Sequence, residues 1–290
     1  MKKLFSIVLA ALMVAALFAG CGSSTAETKA PETTVAPATE AAAPAETEAP
    51  AETEAAAAFT TIEAGKLIMS TNAAFPPYEM VADDGSFEGI DVEIAGAIAK
   101  KLGLELVVDD MDFDAALLAA QQGKSDMVMA GVTVNEERLQ VMEFSDSYAN
   151  GVQVVIVPEN SDIASVDDLS NDKMIGTQRG TTGYIYCSDT VENGGYGEDH
   201  VTAYDTGATA VMALVNGQVD AVVIDNEPAK AFVAANPGLK ILDTEFAVED
   251  YAIGLKKGNT DLLNAINEVM AELKADGTFQ SIVDKYITAE

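Results

Sequence analysis

The chain has 290 residues and a net charge of −31, from 47 acidic residues against 16 basic ones. That surplus argues against nucleic acid as a partner, because no basic patch exists to neutralise phosphates, and against anionic membrane surfaces as a target of the folded body. Only two of the basic residues are arginines, Arg138 and Arg179.

The N-terminus reads as an export signal. Lys2 and Lys3 precede an apolar run over residues 4–18, too short for a confident membrane span. The run ends in Phe18-Ala19-Gly20-Cys21, which resembles a bacterial lipobox with Phe18 where Leu is usual. Residues 1–20 are therefore expected to be a lipoprotein signal peptide and Cys21 the lipidated residue, since stable anchoring needs more than one acyl chain. Residues 21–58 are rich in Ala, Glu, Thr and Pro, with near-repeats at 44–48 and 50–54. Without apolar periodicity to bury, this stretch reads as a disordered, self-repelling tether spanning on the order of 35 Å as a coil.

The remaining residues, 59–290, suffice for two lobes with separate cores. Strands are expected at 67–70, 104–108, 125–130, 152–157, 173–177 and 221–224. Helices are expected at 92–102, 113–122, 208–216 and 261–275. Strands alternating with helices indicate an α/β fold with mainly parallel sheets, in which ligands sit beyond the carboxyl ends of the strands. Residues 119–128 echo 213–222: each is a helix end, a Gly cap and a buried strand, suggesting lobes of related construction.

The body holds one cysteine, Cys187, and one histidine, His200, so no internal disulfide and no Cys/His zinc site can form. Cys187 reads as a small buried residue and His200 as a solvated loop residue. Asp83, Asp84, Asp109 and Asp110 read as solvated loop acids without Ca²⁺-loop spacing.

Chemistry concentrates in a few places. Thr133 with Glu136 has capping-box spacing, so a helix should start there. Backbone N–H groups at that start and the planar Arg138 fork could then converge on a small anion. Asp225 closes the buried run 221–224, where an acid can face a ligand cation or cap the helix that begins at Glu227-Pro228. Thr182 lies in a Gly-containing turn before a further helix. Phe75 stands before two prolines that stiffen its loop.

These pieces resemble, in order and spacing, the polar amino-acid family of bacterial extracellular solute-binding proteins, the receptors of ABC importers. The likeness runs from about Lys66 to Tyr286. It is carried by residues 71–78 (TNAAFPPY), 89–95 (GIDVEIA), 111–114 (MDFD), 130–138 (AGVTVNEER), 144–148 (FSDSY), 180–183 (GTTG) and 217–225 (GQVDAVVID). The resemblance implies a two-lobed periplasmic-binding-protein fold with crossings near 149–151 and 248–250. Lobe 1 is expected at 59–149 plus 251–290 and lobe 2 at 152–247, closing by a hinge on a ligand between them.

For an α-amino acid, the resemblance implies that Arg138 with the N–H groups of Thr133 and Thr182 takes the carboxylate. Asp225, the Gly131 carbonyl and the Thr133 hydroxyl take the ammonium. Asn72, Phe75, Tyr78, Phe113, Ala130 and Gln178 form the side-chain pocket. Asn72 stands where the family often has Asp, which with Gln178 favours a neutral polar amino acid. Asp91 could partly compensate for a cationic ligand, and Arg179 leaves an acidic one open.

The implied partners are the amino acid, the ABC permease subunits and the membrane, through Cys21; a monomer without cofactor or metal, outside the cytoplasm, is expected. Two other readings compete. One is a cyclohexadienyl or arogenate dehydratase on the same fold, which needs a general acid that the cleft lacks beyond Asp225 and Asp91. The other is a sensor, which would ordinarily continue into a transmembrane and signalling segment.

Overall fold

Two mixed β-sheets organise residues 59–169, 172–243 and 245–287, the part that this computed structural model describes. The expected signal peptide, Cys21 and tether lie outside the described residues. Strand β1 (Lys66–Thr71) leads into an antiparallel excursion of β2 (Ala74–Phe75), β3 (Glu79–Val81) and β4 (Phe87–Glu88), then α1 (Ile90–Lys101). Strand β5 (Glu105–Asp110) returns parallel to β1, and α2 (Phe113–Gln122) brings β6 (Met127–Val128) to the other side of β1. Helix α3 (Glu136–Val141) and β7 (Met142–Phe144) precede the long β8 (Ala149–Pro158). The second sheet then collects β9 (Ile175–Gln178), α4 (Thr182–Ser188), β10 (Val201–Tyr204), α5 (Gly207–Val215), β11 (Ala221–Asp225), α6 (Asn226–Ala235) and β12 (Leu239–Ile241). Strand β13 (Ala247–Tyr251) returns to β14 (Gly254–Lys256) in the first sheet, and α7 (Thr260–Ala275) and α8 (Thr278–Tyr286) pack on α1.

The strand orders are β5-β1-β6-β14-β7 and β10-β9-β11-β8-β12. In each, the first three strands run parallel and the fourth is antiparallel. The sheets are mainly parallel, as expected, and mixed, because β14 in the first and β8 in the second run against the other strands. The internal echo is real down to single bonds. Asp126 accepts from the N–H of Ile68 at 2.8 Å, and Asp220 accepts from the N–H of Met174 at 2.7 Å, each pinning the start of a neighbouring strand.

The apolar runs have two buried faces, as strands covered on both sides require. In β8, Val154 and Ile156 join one core while Val155 and Val157 join another; in β11, Val222 and Ile224 alternate likewise with Ala221 and Val223. The strand expected over 125–130 shrinks to Met127–Val128. Ser125 and Asp126 spend their side chains on Ser70 and on the N–H groups of Ile62 and Ile68, and the chain turns at Gly131. The excursion β2 to β4 has strands too short to show a period. Asp109 and Asp110 end β5 rather than lie in loops.

Strands β8 and β13 pair antiparallel, with Ala149 opposite Tyr251 and Gln153 opposite Ala247. The ring of Tyr251, fully buried, lies flat over Gly151, where an added Cβ would meet ring carbon at 2.4 Å. Gly151→Ala is expected to cost about 1–3 kcal/mol by overpacking, read as a lower urea midpoint. An unchanged midpoint would mean that the ring is free to move.

Candidate functional site

The loops at the carboxyl ends of the parallel strands converge on one small cavity. Asn72 and Phe75 follow β1; Ala130, Gly131 and Thr133 follow β6; Gln178 ends β9 and Thr181 and Thr182 follow it; Asp225 ends β11. Phe113, the first residue of α2, and Arg138 on α3 complete the wall. This is where an α/β sheet places a ligand.

Arg138 is buried, and its two terminal nitrogens reach both sheets. Nη1 donates to the Thr133 carbonyl at 2.8 Å and Nη2 to the Gly180 carbonyl at 3.1 Å, while the guanidinium lies 5.5 Å over the Phe113 ring. Burial lowers its pKa and nearby Glu249 opposes that shift. Its backbone corrects the expected capping box: Asn135, not Thr133, caps α3 by accepting from the Arg138 N–H at 2.8 Å. Thr133 is drawn instead to β13, and its hydroxyl donates to Glu249 at 2.8 Å.

A second bond spans the cavity where Gln178 Nε2 donates to Asn72 Oδ1 at 2.9 Å, and Asn72 in turn donates to the Met111 carbonyl at 2.8 Å. Gly131 sits at φ 54°, and a Cβ there would stand 2.7 Å from the Phe75 ring, so the loop keeps its shape only with glycine. The Gly131 N–H donates to Asp91 at 3.1 Å, and the Tyr148 hydroxyl to the same carboxylate oxygen at 2.7 Å.

The wall is acidic. Asp225 forms no side-chain cap on α6; it accepts from the Tyr251 hydroxyl, and burial pushes its pKa up to about 7. Burial pushes Asp91 up to about 6. Glu249 Oε2 accepts from Thr133, Thr182 and Gln153 at 2.8, 3.0 and 3.1 Å. Glu79 is fully buried and lines the cavity, and its carboxyl pairs with that of Asp91 in a hydrogen bond that needs a proton on one of the two. Burial first, and then the charge of Asp91, raise its pKa well above the carboxylate range.

The model of the family described as "Bacterial extracellular solute-binding proteins, family 3" matches residues 67–289. The chain belongs to this family. It is 30% identical to the "Probable histidine-binding protein" of Neisseria gonorrhoeae, over 81% of this chain and 88% of that one. It is 32% identical to the "L-cystine-binding protein TcyJ" of Escherichia coli (strain K12), over 79% and 85%. Among solved structures it resembles "An ancestral arginine-binding protein bound to glutamine" with a TM-score of 0.71 and 39% identity, over 78% of this chain and 99% of that one. The arginine-bound form of ArgBP from T. maritima matches with a TM-score of 0.66 and 39% identity, over 72% and 96%. The named relatives are transport binding proteins, not enzymes.

Of the residues expected at the site of this solute-binding protein, ten line the cavity: Asn72, Phe75, Phe113, Ala130, Gly131, Thr133, Arg138, Gln178, Thr182 and Asp225. Tyr78 does not. It packs behind the wall, stacked on Phe75 at 5.9 Å and edge-on to Tyr251 at 5.3 Å. Arg179 points away, exposed, with Asp205 at 3.5 Å, so it supplies no second cation. Cys187 is buried, as expected, and burial pushes its thiol up to about 12. Glu79, Thr181 and Glu249 were not foreseen. The alternation in β13, with Glu249 and Tyr251 buried between exposed Val248 and Asp250, is the signal that could have found Glu249.

The raised carboxyl groups set a pH dependence. A buried acid whose folded pKa lies above its unfolded value binds protons in the folded state that the unfolded chain has lost. Stability contributed by Asp91 and Asp225 is therefore complete below about pH 4 and falls as pH rises towards 6 and 7. Each is worth on the order of 3 kcal/mol. Urea denaturation of the ligand-free chain should show lower stability at about pH 8 than at about pH 5, and Asp225→Asn should flatten the upper part of that fall. A stability that rises over this range would contradict the burial of these groups.

Proposed function

We propose that the chain is the substrate-binding receptor of an ABC importer for an amino acid, held outside the cytoplasmic membrane by lipid on Cys21. One observation supports the reading: a single buried arginine ties the loop after β6 to the loop after β9 at a cavity that carboxyl groups also line. An α-amino acid is the complementary object, an anion and a cation on one carbon. Its carboxylate meets the Arg138 fork and the N–H groups of Thr133 and Thr182, and its ammonium meets Asp225 with the Gly131 carbonyl and the Thr133 hydroxyl. Phe75 and Phe113 flank the side chain.

The lobes are residues 59–149 with 251–290, and 152–247. The paired strands β8 and β13 are the two crossings, so closure bends two strands rather than a loop. The permease subunits then receive the ligand from the closed receptor, which works as a monomer.

Two observations bear on the side chain. The Asn72–Gln178 pair favours a neutral amide, in line with the neutral charge of both residues. The Glu79 carboxyl in the lining bears on a cationic group, and several relatives carry arginine or histidine in their names.

Calorimetry of the full chain with arginine and glutamine tests the site. Arg138→Ala should weaken binding of whichever amino acid binds by at least about 100-fold, since it leaves the ligand carboxylate and the facing acids without their cation. Affinity equal to the parent in a folded Arg138→Ala chain would reject the assignment.

A further inference from the structure

Glu249 sits where three segments of the cleft meet. Its Oε2 accepts from the Thr133 hydroxyl at 2.8 Å, the Thr182 hydroxyl at 3.0 Å and Gln153 Nε2 at 3.1 Å. The first donor follows β6, the second opens α4 and the third lies on β8. The polar atoms of Thr133 are divided among separate tasks. Thr133 bridges to Tyr251. The flanking bonds run from the Val134 N–H to the Asp250 carbonyl at 2.9 Å and from the Ala252 N–H to the Val132 carbonyl at 3.0 Å. In such a pair the N–H and C=O of the middle residue point away from the partner strand. The Thr133 carbonyl accordingly accepts from Arg138, and its hydroxyl turns to Glu249. A threonine hydroxyl has one proton to give and two lone pairs. With that proton on Glu249, it faces the cavity only as an acceptor. Thr182 repeats the arrangement: its hydroxyl donates to Glu249 and accepts from Gln153 Nε2 at 3.4 Å. Thr133 and Thr182 line the cavity, whereas Glu249 is not part of the lining.

We propose that Glu249 is a positioning residue: it takes the hydroxyl protons of Thr133 and Thr182, so that the Thr133 oxygen meets the ligand ammonium as a fixed acceptor and the cleft prefers an amino acid to the 2-hydroxy acid of the same shape. The inference rests on the amino-acid reading above. An ammonium has only N–H donors to offer, so a hydroxyl held as an acceptor suits it. A 2-hydroxy acid puts an oxygen with one proton and two lone pairs in the same place. It gains from a Thr133 hydroxyl that is free to turn and donate. Holding the hydroxyl in advance also removes the ordering that binding would otherwise require. Glu249 carries charge as well, and a charge acts on an ammonium whichever way the hydroxyls point. The two contributions are separable, because only the first passes through the Thr133 oxygen.

Calorimetry of the full chain with arginine, glutamine and the 2-hydroxy acid of each tests this through a double-mutant cycle of Glu249→Gln and Thr133→Val. Glu249→Gln is expected to weaken whichever amino acid binds by about tenfold or more, the worth of a hydrogen bond to a charged group. It should narrow the preference over the 2-hydroxy acid by a similar factor. In the Thr133→Val chain the same change should cost little further. Thr133→Ser keeps a hydroxyl and should keep the full effect of Glu249→Gln. Costs that add across the cycle would overturn the proposal, because Glu249 would then act by charge or packing alone. An unchanged preference in Glu249→Gln would overturn it too. If Glu249→Gln does not fold, the Thr133 variants decide. Thr133→Val must weaken the amino acid more than the 2-hydroxy acid and Thr133→Ser must not, and equal losses would overturn the proposal. An amino acid bound with additive costs would remove this inference and leave the receptor reading standing. No amino acid bound by the parent chain would remove both.

Discussion

Burying one guanidinium among several carboxyl groups, between two sheets that share only a pair of strands, is the constraint that organises this protein. Arg138 is the one cationic side chain buried among the described residues. Its hydrogen bonds to Thr133 and Gly180 tie a loop after β6 to a loop after β9, so the charge that defines the site also couples the lobes. The acids Asp91, Asp225 and Glu79 cannot all ionise without partners once buried. Tyrosine hydroxyls at one end of the β8–β13 crossing relieve two of them: Tyr148 donates to Asp91 and Tyr251 to Asp225.

The crossing strands therefore do two jobs. They connect the sheets, and they supply the hydroxyl donors and the Glu249 carboxylate that hold the cavity wall together. Gly151 lets the Tyr251 ring lie against the strand, which brings its hydroxyl to Asp225, two strands away in the same sheet. Bending there would move donors and acids together, so ligand capture and lobe movement draw on the same few contacts.

Much of this was legible in the sequence where a single physical rule governed the residues. Helix α2 was readable to the residue, 113–122, because its apolar spacing is helical and Gly123 ends it in the left-handed region. The runs in β8 and β11 were readable because both faces are buried. Arg138 was readable because the chain has only one other arginine, and that one is exposed. The rest was hidden where long-range partners decide. The capping box at Thr133 failed because the helix starts later, with Asn135 accepting from the Arg138 N–H, and Thr133 is claimed by Glu249, 116 residues away. Glu79 follows Pro-Pro-Tyr and looks like a loop acid. Only the pairing of β2 with β3, which sets it opposite Phe75, turns it inward. Tyr78 lies in the turn between β2 and β3, where no strand alternation in the sequence tells which way its ring faces.

The central claim, that this cleft is built around the charged backbone of an amino acid, meets its most direct test in the thermal melting of the full chain against each of the twenty amino acids. The account predicts a large upward shift with one or a small set that share a polar or cationic side chain, since a ligand at about 100 times its dissociation constant adds about 2.7 kcal/mol to the folded state. No shift with any of the twenty would contradict it.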